Sequence, residues 1–110
     1  MKKVIVKLPS DKGQSEKIVQ AATEYGIVDF AGVQGGFDES SIRSFTVSSG
    51  EDIEKIKKAV ESGTGSIMIE TADWRVIPLE NIISWTAGKA SLYAKARNVE
   101  DAVMLHMQMH

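Results

Sequence analysis

The sequence predicts an α/β fold, a single domain over residues 1–110 in which a mainly parallel sheet alternates with helices. Short β-branched or apolar runs recur along the chain, and amphipathic segments of helical period follow most of them. The hydrophobic fraction of 43% and the charged fraction of 25% are typical of a chain that buries one modest core. Strands that alternate with helices favour parallel pairing through right-handed crossovers.

The first half of the chain predicts three strands and one helix. Pro9 ends the first strand, and the helix that follows carries Ile18, Ala22 and Tyr25 at helical spacing before Gly26 stops it. A glycine-rich loop separates the second strand from the third, with no helix expected between them. The predicted strands are residues 4–8, 27–31 and 43–48, and the predicted helix is residues 15–25.

The second half predicts a regular succession of helices and strands. Ser49 begins a capping-box pattern in which Asp52 replaces the commoner glutamate, and the helix that it opens ends at a glycine. Pro78 suits the first turn of the next helix, which runs to Gly88. Asn98 caps a last helix that continues to the C-terminus. The strands between these helices are residues 66–69 and 91–96.

Composition and charge exclude several classes of function. The chain has no cysteine, so disulfides, thiolate catalysis and thiolate metal sites are excluded. The net charge of -2 and the pI near 5.7 give no electrostatic basis for nucleic acid as a partner. The N-terminal apolar run is short and ends at Lys7, which fits neither a signal peptide nor a membrane span. We therefore expect a cytoplasmic protein with no membrane partner.

Four polar residues fall at or just after the predicted strand ends: Lys7, Asp29, Glu70 and Lys95. The carboxyl ends of parallel strands face a common crevice, so these side chains could form one acid, base and cation cluster. A desolvated lysine beside a carboxylate can act as a base or a Schiff-base amine. Lys7 and Glu70 are the preferred pair. In the alternative interpretation, each residue ends its strand in solvent.

The loop after the strand at residues 66–69 adds Asp73 and Trp74 as candidates for substrate contact. Each also has a structural interpretation, because an aspartate can cap a turn and a tryptophan can cover one end of the fold. Glu80 and Asn81 follow in the first turn of a helix, where a glutamate favours the positive end of the dipole. That structural role is at least as good an explanation for them as catalysis.

Two weaker patterns suggest ligands. The glycines of residues 32–36 do not match the dinucleotide fingerprint, and no clear helix follows them. His106 and His110 lie four residues apart on the last helix, a spacing that permits metal chelation. The residues between them supply no glutamate of the metalloprotease type, so we expect no metal site.

The run over residues 70–83 combines acidic, aromatic and apolar residues in a long, unusual pattern: Glu70, Thr71, Asp73, Trp74, Ile77, Pro78, Leu79, Glu80, Asn81, Ile82 and Ile83. This run resembles the archaeal-type, type II 3-dehydroquinate synthases, in their N-terminal portion. The resemblance covers about residues 55–102, and Val4 to Lys7 is similar to the family's first strand. Members of that family are much longer than this chain.

The resemblance implies half of a (β/α)8-barrel-like domain and an oxidoreductase of aromatic amino-acid biosynthesis, by the shikimate route. Such an enzyme uses NAD in the oxidative deamination of an amino-heptulosonate, followed by cyclisation to 3-dehydroquinate. Lys7 would be the amine or general base and Glu70 its carboxylate partner, with Asp29, Asp73, Trp74 and Lys95 contacting the small-molecule substrate. NAD would depend on residues outside this chain or on another copy.

The length also predicts an exposed sheet edge, which favours a homo-oligomer. Two rival interpretations stay open at this stage. One is a truncated, non-catalytic assembly module of the same fold. The other is a small-molecule-binding domain of the flavodoxin-like kind.

Overall fold

The computed structural model describes residues 1–109, in which five parallel strands and four α-helices alternate. A single 3₁₀ turn, Trp74–Val76, follows the fourth strand. The strands are β1 (Lys2–Lys7), β2 (Asp29–Ala31), β3 (Arg43–Val47), β4 (Ser66–Thr71) and β5 (Ser91–Ala96). The helices are α1 (Lys12–Thr23), α2 (Gly50–Glu61), α3 (Leu79–Thr86) and α4 (Val99–Gln108). The predicted α/β fold with a parallel sheet is confirmed.

The strands form one sheet in the order β2-β1-β5-β4-β3. This is the order of a ring of five strands that has opened between β2 and β3, which fits a partial barrel-like domain. The connections β1 to β2, β3 to β4 and β4 to β5 all move along the sheet in the same direction. Because each crossover is expected to be right-handed, their helices belong on one face. The β2 to β3 connection moves the opposite way, so it crosses the other face.

Side-chain hydrogen bonds set the starts of three helices. Asp11 accepts the backbone N–H of Gln14 at 3.0 Å, so α1 begins three residues before the predicted start. Asn98 accepts the N–H of Asp101 at 2.8 Å, which confirms the predicted cap of α4. The predicted capping box of α2 is also present, with Asp52 as its acidic member.

The main core lies between the sheet and the helices. Alternate residues of each central strand face it, as Ile67 and Ile69 do in β4 and Leu92 and Ala94 do in β5. Every helix contributes to the same cluster, through Ala22, Ile56, Ile82 and Leu105 among others. All four helices therefore cover one face of the sheet, as they do outside a barrel.

The opposite face of the sheet, which we call the inner face, carries no helix. It has a second, smaller apolar cluster, which Phe37 and Ile42 help to cover. Both residues belong to the β2 to β3 connection, residues 32–42, which we call the strap. The strap joins opposite edges of the sheet, about 19 Å apart at the usual strand spacing, and passes over the inner face. The strand residues of this cluster are Ile5, Ala31, Met68 and Tyr93.

The sheet ends in two edges, β2 and β3, which each pair with one neighbour. Arg43, Ser44 and Thr46 leave β3 polar and exposed along its length. Self-association through such an edge stays a prediction. Among the described residues, no helix has both the length and the apolar character needed to cross a membrane.

Candidate functional site

A row of polar side chains crosses the inner face near the carboxyl ends of the strands. Strand register pairs Thr46 of β3 with Glu70 of β4, and pairs Ile5 of β1 with both Lys95 of β5 and Asp29 of β2. Met68 and Tyr93 of the inner-face apolar cluster pair with each other one level lower, whereas Ile5 of the same cluster lies within the row. The polar row therefore has an apolar base and faces the strap.

Glu70 and Arg97 form the acid and cation pair of this row. Nη2 of Arg97 lies 3.4 Å from Oε1 of Glu70, across neighbouring strands. The Glu70 side chain is 19% exposed and that of Arg97 is 43% exposed. The second oxygen, Oε2, is buried and has no hydrogen-bond partner among residues 1–109. The carboxylate therefore keeps one buried acceptor for a ligand hydroxyl or ammonium group.

Lys95 lies beside Glu70 and pairs with an acid from the strap. Its Nζ donates to Oε1 of Glu39 at 2.8 Å, and the side chains are 16% and 32% exposed. Glu39 is far away in sequence, so the contact ties the strap to the centre of the sheet. A cavity of about 220 Å³ opens at this point. Its lining residues are Ser44, Phe45, Thr46, Met68, Glu70 and Lys95.

Lys7 does not contact Glu70. The two residues end strands that β5 separates, so about 10 Å lies between their backbones. Arg97 takes the place beside Glu70 that was predicted for Lys7. Val6 pairs with Ala96, so Lys7 and Arg97 leave neighbouring strands at one level, and Lys7 is exposed there. Its catalytic role stays a prediction.

Asp29 stands at the start of β2, not at its carboxyl end. Its carboxylate lies 3.7 Å from Nζ of Lys3, on the neighbouring strand β1. The short strand puts this residue at the edge of the sheet, separated from Glu70 by β1 and β5. The structure therefore does not bring Asp29 together with Glu70 and Lys95 in one contact set.

Asp73 and Trp74 both have the contacts that their structural interpretation requires. Asp73 caps the 3₁₀ turn by accepting the N–H of Arg75, and its Oδ1 lies 3.0 Å from Nε of the same arginine. The hydrogen bonds from the Arg75 side chain and backbone hold the pKa of Asp73 below its ordinary value. Trp74 is 6% exposed and packs in the helix-side core. Substrate contact by either residue stays a prediction.

Arg97 and Glu39 were not among the predicted site residues. The alternation of β5 contained a signal for Arg97, because Tyr93, Lys95 and Arg97 follow one another at every second position. The strand ends at Ala96 as predicted, so the alternation has to be continued one residue beyond the strand to reach Arg97. Glu39 had no comparable signal, since its position depends on how an irregular loop crosses the inner face.

Gly35 of the strap is explained by backbone packing within the chain. A Cβ on Gly35 would lie 2.3 Å from the carbonyl oxygen of Phe30, so the close approach there is to the chain itself. No helix begins after this turn, and β3 is the next element. This loop therefore does not fit a dinucleotide phosphate cradle.

Metal-binding side chains are not grouped in the described part of the chain. No cluster of three or more histidine, aspartate or glutamate residues suited to a metal occurs among residues 1–109. His106 faces Gly26, with a distance of 3.6 Å from its Nε2 to the ideal Cβ position of that glycine. His110, the other member of the candidate pair, lies outside the described residues.

The fold and this row of side chains define a parallel α/β domain with a candidate site for a small polar ligand at the carboxyl ends of its strands. A family model described as the 3-dehydroquinate synthase II N-terminal domain matches residues 3–109. The chain therefore belongs to the 3-dehydroquinate synthase II family, in the part that forms the N-terminal domain.

Curated relatives agree with that family. A 3-dehydroquinate synthase of Nitrosopumilus maritimus is 45% identical over 42 residues, which are 38% of this chain and 12% of the relative. One of Korarchaeum cryptofilum is 34% identical over 64 residues, 58% of this chain and 18% of the relative. A 3-dehydroquinate synthase homolog of Persephonella marina is 29% identical over 97 residues, 86% of this chain and 26% of the relative.

The matched stretches therefore span about a quarter or less of each relative's length. No solved structure shows a significant match to the chain.

Proposed function

We propose that this chain supplies the substrate-binding part of a 3-dehydroquinate synthase II site. The reaction would be the NAD-dependent oxidative deamination of an amino-heptulosonate, followed by cyclisation to 3-dehydroquinate. One observation carries the proposal: Glu70 is held by Arg97 with its second oxygen buried and unpartnered among residues 1–109, next to Lys95. The family membership supports the choice of reaction.

The row suits a small molecule that has a carboxylate at one end and amine or hydroxyl groups along its chain. Arg97 and Lys95 offer N–H donors to the carboxylate, and a guanidinium can bind it in a bidentate manner. Oε2 of Glu70 would accept a hydrogen bond from the ammonium or hydroxyl group that faces it. A proton released there would pass to the Glu70 carboxylate.

Lys7 stands at the same level as Arg97 on the next strand and adds a third cation to Arg97 and Lys95. As an amine or general base it would act from the solvent side of the row, since its side chain is exposed. The described residues of this chain would bind and orient the substrate, and hold the proton at Glu70. NAD would be bound by residues outside this set, or by another copy.

A module that binds the same ligand without catalysing the reaction is the second candidate. The glycine-rich loop of the strap is not a dinucleotide cradle, which favours this module, because hydride transfer needs a nucleotide site elsewhere. The two candidates share the ligand site and differ in the chemistry. Both also allow a homo-oligomer in which a second copy completes the site.

The test is a calorimetric titration with 3-dehydroquinate, carried out on the chain and three variants. Glu70→Gln and Arg97→Ala are expected to weaken binding by about tenfold or more, equivalent to about 1.4 kcal/mol. Arg43→Ala removes an arginine from the opposite end of the sheet and should leave the affinity unchanged. Failure of the chain to bind, or equal losses in all three variants, would overturn the proposal.

The reaction itself is tested by NADH formation from the amino-heptulosonate. Activity that Glu70→Gln abolishes supports the enzyme. Binding without NADH formation at high protein concentration, where copies associate, supports the non-catalytic module.

A further inference from the structure

We infer that the strap is a displaceable cover over the ligand site, and that the Glu39 carboxylate is an internal competitor for a ligand carboxylate at Lys95. The identity of that ligand rests on the proposed function. The cover itself rests on the contacts that the strap makes with the sheet.

Glu39 occupies the position that a bound carboxylate would need. Its Oε1 lies 2.8 Å from Nζ of Lys95, a short charge-assisted hydrogen bond. Lys95 is only 16% exposed, and Glu39 of the strap contacts its ammonium group. A ligand carboxylate that takes this same position on Lys95 displaces Glu39, and the ligand then restores the charge pairing that Glu39 gave up.

Few groups hold the strap in place. Phe37 packs on Tyr93 with ring centroids 5.8 Å apart and planes tilted by 52°, and Ile42 joins the same apolar cluster. The backbone N–H of Phe37 also donates to the carbonyl of Phe30 at 3.0 Å, and the exposed Gln34 side chain donates to the carbonyl of Ser10 at 3.4 Å. Between Phe37 and Ile42, three polar residues of the strap are exposed: Asp38, Ser40 and Ser41.

The strap forms neither a helix nor a strand. Segments with few buried apolar contacts and little regular structure open at a low free-energy cost. The strap fits that description, whereas the central strands behind it are fully buried on the helix side. Opening of the strap therefore does not require the sheet to unfold.

The consequence for binding follows from competition. A ligand that binds only the open form has an apparent affinity proportional to the fraction of molecules that are open. Neutralising Glu39 removes the ion pair that favours the closed form and leaves Lys95 without its internal partner. The Glu39→Gln variant should therefore bind a carboxylate ligand more tightly than the unmodified chain does.

The first measurement is hydrogen exchange of the Phe37 amide, which needs no ligand. Glu39→Gln should speed this exchange about five- to tenfold, because the ion pair no longer favours the closed strap. Asp38→Asn is the matched control: Asp38 is the neighbouring acid and accepts the N–H of Ser40 at 2.9 Å. Unchanged exchange in Glu39→Gln, or equal acceleration in both variants, overturns the inference. Unchanged amide signals from β4 and β5 verify that the variant is folded.

The second measurement is affinity for 3-dehydroquinate and for its methyl ester, which lacks the carboxylate charge. Glu39→Gln should tighten 3-dehydroquinate binding about five- to tenfold and tighten ester binding less, because both ligands gain from the open strap but only the carboxylate gains from the freed Lys95. Weaker binding in this variant would assign Glu39 to the ligand site itself and overturn the competitor role. If neither form of the chain binds 3-dehydroquinate but exchange is faster, the proposed function fails while the cover stands.

Discussion

Arg97 and Glu70 pair across strands β5 and β4, with 3.4 Å between Nη2 and Oε1, while the other carboxylate oxygen of Glu70 stays buried without a partner in the described chain. The arginine contacts only one of the two oxygens of this carboxylate. A pair that served stability alone would gain by satisfying both oxygens. The arrangement is better suited to holding the carboxylate in position for a third group.

Arg97→Ala is therefore expected to cost little stability while weakening the binding of ligand. The Arg97 side chain is 43% exposed, so solvent screening limits the pair to about 1 kcal/mol or less in the free energy of unfolding. Urea unfolding of Arg97→Ala, Glu70→Gln and the double variant gives the coupling energy. A loss of several kcal/mol in Arg97→Ala would instead make the arginine a structural residue.

The elements of the fold were predictable because each has a local signal. The Ser49 to Asp52 capping pattern and the Asn98 cap both formed as predicted. The predicted start of β1 lies two residues after the observed start. Lys2 and Lys3 are polar, and they join the strand through pairing with β5. Strand pairing of that kind depends on a distant segment, which hydropathy along the chain does not record.

The candidate site was predictable only in part, for the same reason. Glu70 and Lys95 were found because strand ends converge in a parallel sheet. The order β2-β1-β5-β4-β3 places β5 between Lys7 and Glu70, and sequence spacing gives no strand order. Glu39 reaches Lys95 through an irregular loop, whose path depends on the packing of Phe37 and on the positions of both sheet edges.

Trp74→Phe should cost about 1–1.5 kcal/mol in the free energy of unfolding, close to the upper limit for a swap of similar volume. The indole N–H is buried and has no partner among residues 1–109, so the substitution removes no hydrogen bond. Trp74→Ala should cost about 3–5 kcal/mol through the cavity that it leaves. Chemical denaturation measures both values.

The same pair of variants tests substrate contact by this tryptophan. Trp74 packs in the helix-side core, so Trp74→Phe should leave ligand affinity unchanged. A phenylalanine variant as unstable as the alanine variant would mean that the N–H has a hydrogen-bond partner, and a loss of affinity would place Trp74 in the site.

Asp52 should make the stability of α2 depend on pH. Its carboxylate accepts the backbone N–H of Ser48 at 2.9 Å and that of Ser49 at 3.2 Å, and the Ser48 bond is the largest cause of its lowered pKa. A carboxyl group whose pKa is lowered in the folded state stabilises that state. The full contribution is present at pH values above the pKa of the unfolded state, which is about 3.9 for aspartate. The contribution is lost as the pH falls through the lowered folded-state pKa.

Asp52→Asn should therefore lower the urea midpoint at pH 7, and the difference from the unmodified chain should shrink as the solution becomes more acidic than the ordinary carboxyl range. Glu51→Gln, which changes the neighbouring exposed carboxylate of the same helical turn, is the control. A difference that stays constant from neutral to strongly acidic solution would show that the charge of Asp52 plays no part in the cap.

Gly35→Ala should destabilise the protein through the strap. The added Cβ would lie 2.3 Å from the Phe30 carbonyl oxygen, which is a backbone atom of β2 and cannot rotate away as a side chain would. Overpacking of this kind costs about 1–3 kcal/mol.

Gly50→Ala, at a helix start with open space around its Cβ, should instead raise stability by about 0.5 kcal/mol. Thermal unfolding compares the two, and hydrogen exchange at Phe37 should accelerate in Gly35→Ala alone, because its amide donates to the same Phe30 carbonyl. Equal stability in both variants would mean that the turn shifts freely and that Gly35 does not anchor the strap.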